Sequence, residues 1–196
     1  IAELAFKLER EELKNAGGRQ DQYATVFGGI NFMEFKGKDF VRVSPLNLSK
    51  NTIYELERNL VLVNIGDRMK SGDVLKDQIK NYNIKALDES KKLAIQVKEA
   101  LLSGDLNMFG LLLDSAWHQK KKYSKLVTNE YIDALYDTAI KFGAMGGKIT
   151  GAGGGGHMLF YCSPNTEEDV KRELVKLGAK VVPFNFDFKG LQTWEV

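Results

Sequence analysis

Apolar residues recur at three- and four-residue intervals over much of the chain and alternate with polar ones in a few short stretches, so helices and strands are both predicted. Ile1, Leu4, Ala5, Leu8 and Leu13 mark one face of a helix over residues 1 to about 14, with Glu9-Arg10-Glu11-Glu12 along it. Asn15-Ala16-Gly17-Gly18 puts glycine where a helix stops. Arg19 to Ala24 then reads as a short polar segment leading to Phe27-Gly28-Gly29. Alternation from Ile30 to Lys36, the turn Lys36-Gly37-Lys38-Asp39 and the run Phe40-Val41-Arg42-Val43 predict a β-hairpin. Leu60-Val61-Leu62-Val63-Asn64 predicts a central strand, and Gly66 to Gly72 a polar loop after it.

From about 73 to 142 the pattern is helical. Asp73 is placed to cap a helix with Val74, Ile79 and Tyr82; Leu87, Leu93, Ala94, Val97 and Leu101 stripe a second over 86–102; Leu106 to His118 is a third. Asn129 caps a fourth that runs to Phe142. Strands are expected at His157 to Cys162, at Lys180 to Phe184 and, closing the chain, within Gly190 to Glu195, with a helix over Thr166 to Leu177.

One segment stands apart from this patterning. In Gly146-Gly147-Lys148-Ile149-Thr150-Gly151-Ala152-Gly153-Gly154-Gly155-Gly156, seven of eleven residues are glycine. Glycine loses the most backbone entropy on folding, so such a run marks backbone that approaches something closely or takes positive φ. Successive amides there can form a nest for an anion. The flanks are strongly patterned and the run lacks Ser and Pro, unlike a flexible linker. The helix before it and the strand after it make the run a helix-to-strand loop. It does not fit the P-loop, because Lys148 precedes the glycines, nor the dinucleotide fingerprint, which runs from strand to helix.

Composition narrows the function classes. The 196 residues are 43% hydrophobic and 28% charged, as in a soluble globular protein. A net charge of +2 gives no electrostatic reason to expect nucleic acid, and Lys120-Lys121-Lys122 reads as a solvated face. Cys162 has no partner for an intrachain disulfide and follows an apolar run, which fits strand packing in a reducing, cytoplasmic setting. No apolar stretch is long enough for a membrane span, and no signal peptide or membrane partner is expected. His118 and His157 are isolated, with no carboxylate or Cys cluster accompanying either at ligand spacing, so no metal site is expected. The chain opens at Ile1 on a helix already in progress, as a portion of a longer protein would.

A second constellation carries chemistry. Gly17-Gly18-Arg19-Gln20-Asp21-Gln22 sets one carboxylate between two glutamines and beside an arginine, suited to a substrate hydroxyl with amides as hydrogen-bond partners. Polar loops with one aspartate are also common as plain turns. Lys148-Ile149-Thr150-Gly151-Ala152-Gly153-Gly154-Gly155-Gly156 and Gly18-Arg19-Gln20-Asp21-Gln22-Tyr23-Ala24, with Gly28-Gly29 following, together resemble motifs of the GHMP kinases. Within that family the likeness is greatest to kinases acting on D-glycero-D-manno-heptose 7-phosphate, over Gly18 to Phe35, Gly66 to Gln78 and Trp117 to Tyr161. The family's ATP loop, of the type Pro-x-x-x-Gly-Leu-Gly-Ser-Ser-Ala, is absent from this sequence.

The resemblance implies an α+β fold: residues 1–68 as the remainder of a ribosomal-S5-like N-terminal domain, and 69–196 as a ferredoxin-like C-terminal domain. It implies ATP-dependent phosphorylation, with Mg2+, of the anomeric hydroxyl of heptose 7-phosphate to the 1,7-bisphosphate, feeding bacterial surface polysaccharide. Asp21 matches the catalytic aspartate, the general base or orienter of the hydroxyl. Arg19, Gln22, Arg68 and Thr150 are the substrate-binding candidates, Arg68 with Lys70 and Ser71 as readers of the 7-phosphate. The amides of Gly151, Ala152, Gly153 and Gly154 are the phosphate-loop candidates, and Lys148 is given a structural role. The alternatives are another sugar kinase of the family, for galactose, fucose or N-acetylhexosamine; a non-catalytic module completed by the N-terminal portion; and an anion-binding regulatory domain. These residues alone are expected to bind ATP weakly and turn over nothing.

Overall fold

The computed structural model describes residues 1–15, 17–37, 40–66, 71–80 and 83–194. They divide into two compact units: residues 1–47 with those from Asn185 on, and residues 48–184. Fold class α+β holds, with helices and antiparallel sheets.

In the first unit, helix α1 (Ala2–Lys7) passes into a π-helical stretch at Leu8–Glu12. The expected single helix over 1–14 is therefore interrupted, as π segments often interrupt helices near functional sites. Helix α2 (Gln20–Phe27) occupies the segment read as a polar loop. The hairpin is present as β1 (Asn31–Lys36) and β2 (Phe40–Pro45), with Phe35 opposite Val41. Residues 185–194 return to this unit: the Gly29 amide donates to Asp187 O at 2.6 Å and the Leu191 amide to Val26 O at 3.1 Å. A Cβ on Gly28 would lie 2.3 Å from Gly190 N, and one on Gly190 2.5 Å from Val26 O, so the two backbones cross where neither has room for a side chain. That crossing, not a ladder, holds the segment, and described residues 190–194 form no closing strand.

In the second unit come α3 (Lys50–Asn59), β3 (Leu60–Asn64), α4 (Ser71–Lys80), α5 (Ile84–Ser103) and α6 (Leu106–Lys121). A 3-10 turn at Lys125–Val127, α7 (Glu130–Lys141), β4 (Ala144–Ile149), β5 (His157–Cys162), α8 (Glu167–Lys176) and β6 (Lys180–Val181) complete it. The caps are local chemistry: Ser49, Asn83, Asp105 and Asn129 each accept a backbone N–H of the first turn. Asp73 lies inside the first turn of α4 rather than at its cap.

The four strands are antiparallel in the order β4-β5-β3-β6. Counted within the unit, that is 2-3-1-4, with helices between the first and second and the third and fourth strands, the split-βαβ arrangement of ferredoxin-like folds. Val61, Val63, Met158, Phe160 and Ile149 point into a core completed by Trp117, Leu135, Tyr136, Val170 and Leu174. The boundary expected at 68 is displaced, because β3 is hydrogen-bonded between β5 and β6 and so belongs with the second unit. The strand expected over 180–184 is only Lys180–Val181, where β3 gives it two partners.

The glycine run also divides. Gly146 and Gly147 are strand residues, and the loop proper joins β4 to β5, not a helix to a strand. A Cβ on Gly146 would sit 2.1 Å from Gly110 O and 2.6 Å from Asp114 N, so the backbone of α6 lies directly on that of β4.

Candidate functional site

In the second unit, the loop after β4 is tied on one side. Lys120, in the last turn of α6, donates from Nζ to Gly151 O at 2.7 Å. Gln78 of α4 donates from Nε2 to Ala152 O at 3.0 Å. In a trans peptide the carbonyl and the following amide point in opposite directions. The two tied carbonyls therefore send the amides of Ala152 and Gly153 to the other side. Gly151 (φ +81) and Gly153 (φ +116) flank Ala152, whose φ is not positive, the alternation that turns successive amides toward one anion. Among the described residues the amides of Gly151, Ala152, Gly153 and Gly155 make no hydrogen bond. Gly154 departs from expectation: its amide is spent on Val127 O at 2.9 Å. The Thr150 amide continues the strand ladder to His157 O at 3.0 Å, and its hydroxyl is 3.4 Å from the same oxygen.

Lys120-Lys121-Lys122 is not one solvated face. Lys120 reaches the glycine loop, Lys121 meets Asp133 at 3.4 Å and lies over the Trp117 ring, and Lys122 donates to Gln119 Oε1 at 3.0 Å. Burial, with the neighbouring Lys148 ammonium adding repulsion, pushes Lys120 down to about 8, and burial also lowers Lys148. Beneath α6, Tyr136 Oη donates to Asp114 Oδ1 at 2.5 Å, and burial followed by this bond raises the phenol. Cys162 is fully buried and its thiol is pushed up to about 12, first by burial, in keeping with packing. His157 Nε2 lies 3.3 Å from Asn64 Nδ2, and His118 Nδ1 is 3.0 Å from Asp114 O. Among the described residues no three His, Cys, Asp or Glu side chains gather as metal ligands, and no helix is long and apolar enough to cross a membrane.

In the first unit, Asp21 is exposed in the first turn of α2, where the positive end of the helix dipole favours a carboxylate. Arg19 has a different partner from the one its spacing suggests. Its Nε and Nη2 fork onto the Glu3 carboxylate at 2.9 and 3.0 Å, with the guanidinium 4.2 Å from the centre of the Phe6 ring. Arg19 holds the Glu3 carboxyl below its usual range, and Tyr23 Oη donates to Glu3 at 3.1 Å. Gln22 gives Nε2 to Glu9 Oε2 at 2.5 Å, which leaves Oε1 as a buried acceptor with no partner. A buried amide oxygen so placed, one residue from Asp21, suits a hydroxyl donor.

Arg68 and Lys70 lie outside the described residues, as does the side chain of Ser71. Lys120, Gln78, Glu3 and Glu9 enter through the structure; only the basic run hinted at the first. Their partners lie 31, 74, 16 and 13 residues away, beyond the reach of any local pattern.

The second unit is thus a split-βαβ α+β domain whose glycine loop joins the edge strand β4 to β5, with the amides of Ala152 and Gly153 turned away from Lys120 and Gln78. Comparison with known proteins agrees: residues 97–180 match the family model described as GHMP kinases C terminal. The chain belongs to the GHMP kinase family. It is 36% identical to D-glycero-alpha-D-manno-heptose 7-phosphate kinase of Campylobacter jejuni, aligned over 100% of this chain and 59% of that protein. It is 32% identical to the galactokinase of Thermococcus kodakarensis, over 94% of this chain and 59% of that one. The crystal structure of a D-glycero-D-manno-heptose 1-phosphate kinase from Bacteroides thetaiotaomicron matches with a TM-score of 0.75 at 35% identity, over 100% of this chain and 54% of that one. The chain thus spans little more than half the length of these relatives.

Proposed function

We propose that this chain is part of an ATP-dependent kinase that phosphorylates a heptose phosphate at its anomeric hydroxyl. The observation that carries the reading is the glycine loop, with consecutive carbonyls tied to Lys120 and Gln78 and the intervening amides left for an anion. Phosphoryl transfer needs positioning and charge stabilisation more than covalent chemistry, and fixed amides supply both. Asp21 accepts the hydroxyl proton or orients the hydroxyl, and Gln22 Oε1 accepts a hydrogen bond from a second hydroxyl. Mg2+ would be held by the phosphates of the nucleotide it accompanies and by residues of the N-terminal portion of the protein. The relatives' names support a heptose phosphate and differ on where its phosphate lies.

A free-sugar kinase is the second reading, favoured by the galactokinase relative. The test is a kinase assay of the complete polypeptide with ATP, magnesium and a panel of heptose 7-phosphate, heptose 1-phosphate, free heptose, galactose and fucose. Turnover of heptose 7-phosphate alone is the expected result. Turnover of a free sugar in preference to it overturns the substrate assignment and keeps the class of reaction.

A further inference from the structure

We propose that Lys120 and Lys148 form a binding site for a phosphoryl oxyanion beside the glycine loop. Lys148 lies on β4, two residues before Thr150, and Lys120 reaches the loop from the end of α6. Both side chains are half-buried, and neither has a carboxylate partner among the described residues. The contrast is with Lys121, one residue on, which is paired with Asp133.

Two like charges drawn partly out of water repel and lose hydration, a cost that folded proteins offset with a counter-ion. The lowered proton affinity of each reports that cost. An ammonium has three donors. Lys120 spends one on Gly151 O, and Lys148 spends none among the described residues. Two positive charges with five donors to spare match a phosphate monoester or polyphosphate terminus, with its two negative charges and several acceptor oxygens. The pair thus supplies the cationic reader of phosphate that the sequence sought in Arg68. The site stands on these groups alone; that its anion belongs to a substrate rests on the kinase reading above.

The test compares wild type, Lys148→Met, Lys148→Arg and Lys120→Met in the complete polypeptide at low ionic strength. Calorimetry and thermal unfolding use inorganic phosphate as the probe. Phosphate is expected to stabilise the wild type, and each methionine variant to bind it about tenfold more weakly or worse, as loss of a charged hydrogen bond requires. Lys148→Arg should bind within about threefold of wild type, since the charge remains. Without phosphate, Lys148→Met should unfold at or above the wild-type temperature, because a repulsion has gone; a lysine that only holds the fold together would lower it. Equal phosphate binding by wild type and Lys148→Met overturns the site, as does a loss of stability in Lys148→Met that is the same with and without phosphate.

Steady-state kinetics then separate the sources of the anion. A rise in KM for the sugar phosphate alone in Lys148→Met assigns the pair to the sugar's phosphate, and a rise for ATP alone assigns it to the nucleotide. Phosphate binding that depends on Lys148 in a protein that phosphorylates nothing in the panel upholds the site and overturns the kinase reading.

Discussion

Replacing Gly146 with alanine adds one methyl group where the backbone of α6 sits against that of β4. The new Cβ would lie 2.1 Å from Gly110 O and 2.6 Å from Asp114 N, both backbone atoms of α6. No rotamer change relieves a clash with backbone. Ordinary contact begins near 3.4 Å, so α6 must retreat from β4 by about 1.3 Å or the strand must buckle. Overpacking of a close-packed contact costs about 1–3 kcal/mol, and a clash of backbone on both sides belongs at the upper end. Each kcal/mol lowers Tm by about 2–4 °C for a chain of this size and by less for a longer one, so a fall of up to about 12 °C is expected. The same retreat draws Lys120 off Gly151 O, so phosphate affinity should fall with stability. Gly17→Ala is the control, because nothing lies within 4 Å of the position a Cβ would take there. The assay is urea and thermal unfolding of both variants with the complete polypeptide. A Gly146→Ala protein within about 0.5 kcal/mol of wild type, the range of neutral surface changes, would refute the direct seating of α6 on β4.

Three further outcomes are expected. Asp21→Asn removes the proposed proton acceptor and should lower kcat by about 10²–10⁴-fold with little change in KM for ATP; kcat within threefold of wild type would remove Asp21 from the chemistry. Lys120 has a folded-state value of about 8 against an ordinary 10.5, so the unfolded chain holds more protons between those limits and this residue's penalty is relieved as pH rises through them. Stability of wild type relative to Lys120→Met should therefore rise from pH 8 to about 10.5, and a flat or falling difference in urea titrations contradicts it. Cys162, buried with its thiol near 12, should resist a thiol reagent at pH 8 in the native state and react at once in denaturant.

The elements that periodicity reveals were legible. The stripe from Leu87 to Leu101 forms α5, Asn129 caps α7, and the Leu60–Asn64 run lies between two other strands as a buried apolar run should. Helix α3 was hidden because its buried positions include the polar residues Thr52, hydrogen-bonded to Ser49, and Asn59, whose Nδ2 donates to Tyr161 Oη. The glycine run was legible as a feature but not in its parts. Composition does not distinguish Gly146, which makes room for α6, from Gly151 and Gly153, which turn the loop. Helix α2 was obscured for a related reason: Arg19, Gln20, Asp21 and Gln22 are polar in a row, and Arg19 and Gln22 bond to Glu3 and Glu9 on a preceding segment. The lysine and glutamine behind the loop act through tertiary reach, which no window of sequence contains.

The crossing of Gly28 by Gly190 has a consequence for the order in which the protein is made. Residues 48–184 form one compact unit, and 185–194 return to the unit begun by residues 1–47. During synthesis the whole of the second unit emerges before the segment that seats against the end of the Asp21 helix. The first unit cannot finish folding while its closing segment is still inside the ribosome. Closing the first unit before the inserted unit has folded would mean closing a long flexible loop, and that entropic cost grows with loop length. The helix bearing the proposed base is thus among the last parts of the chain to be secured.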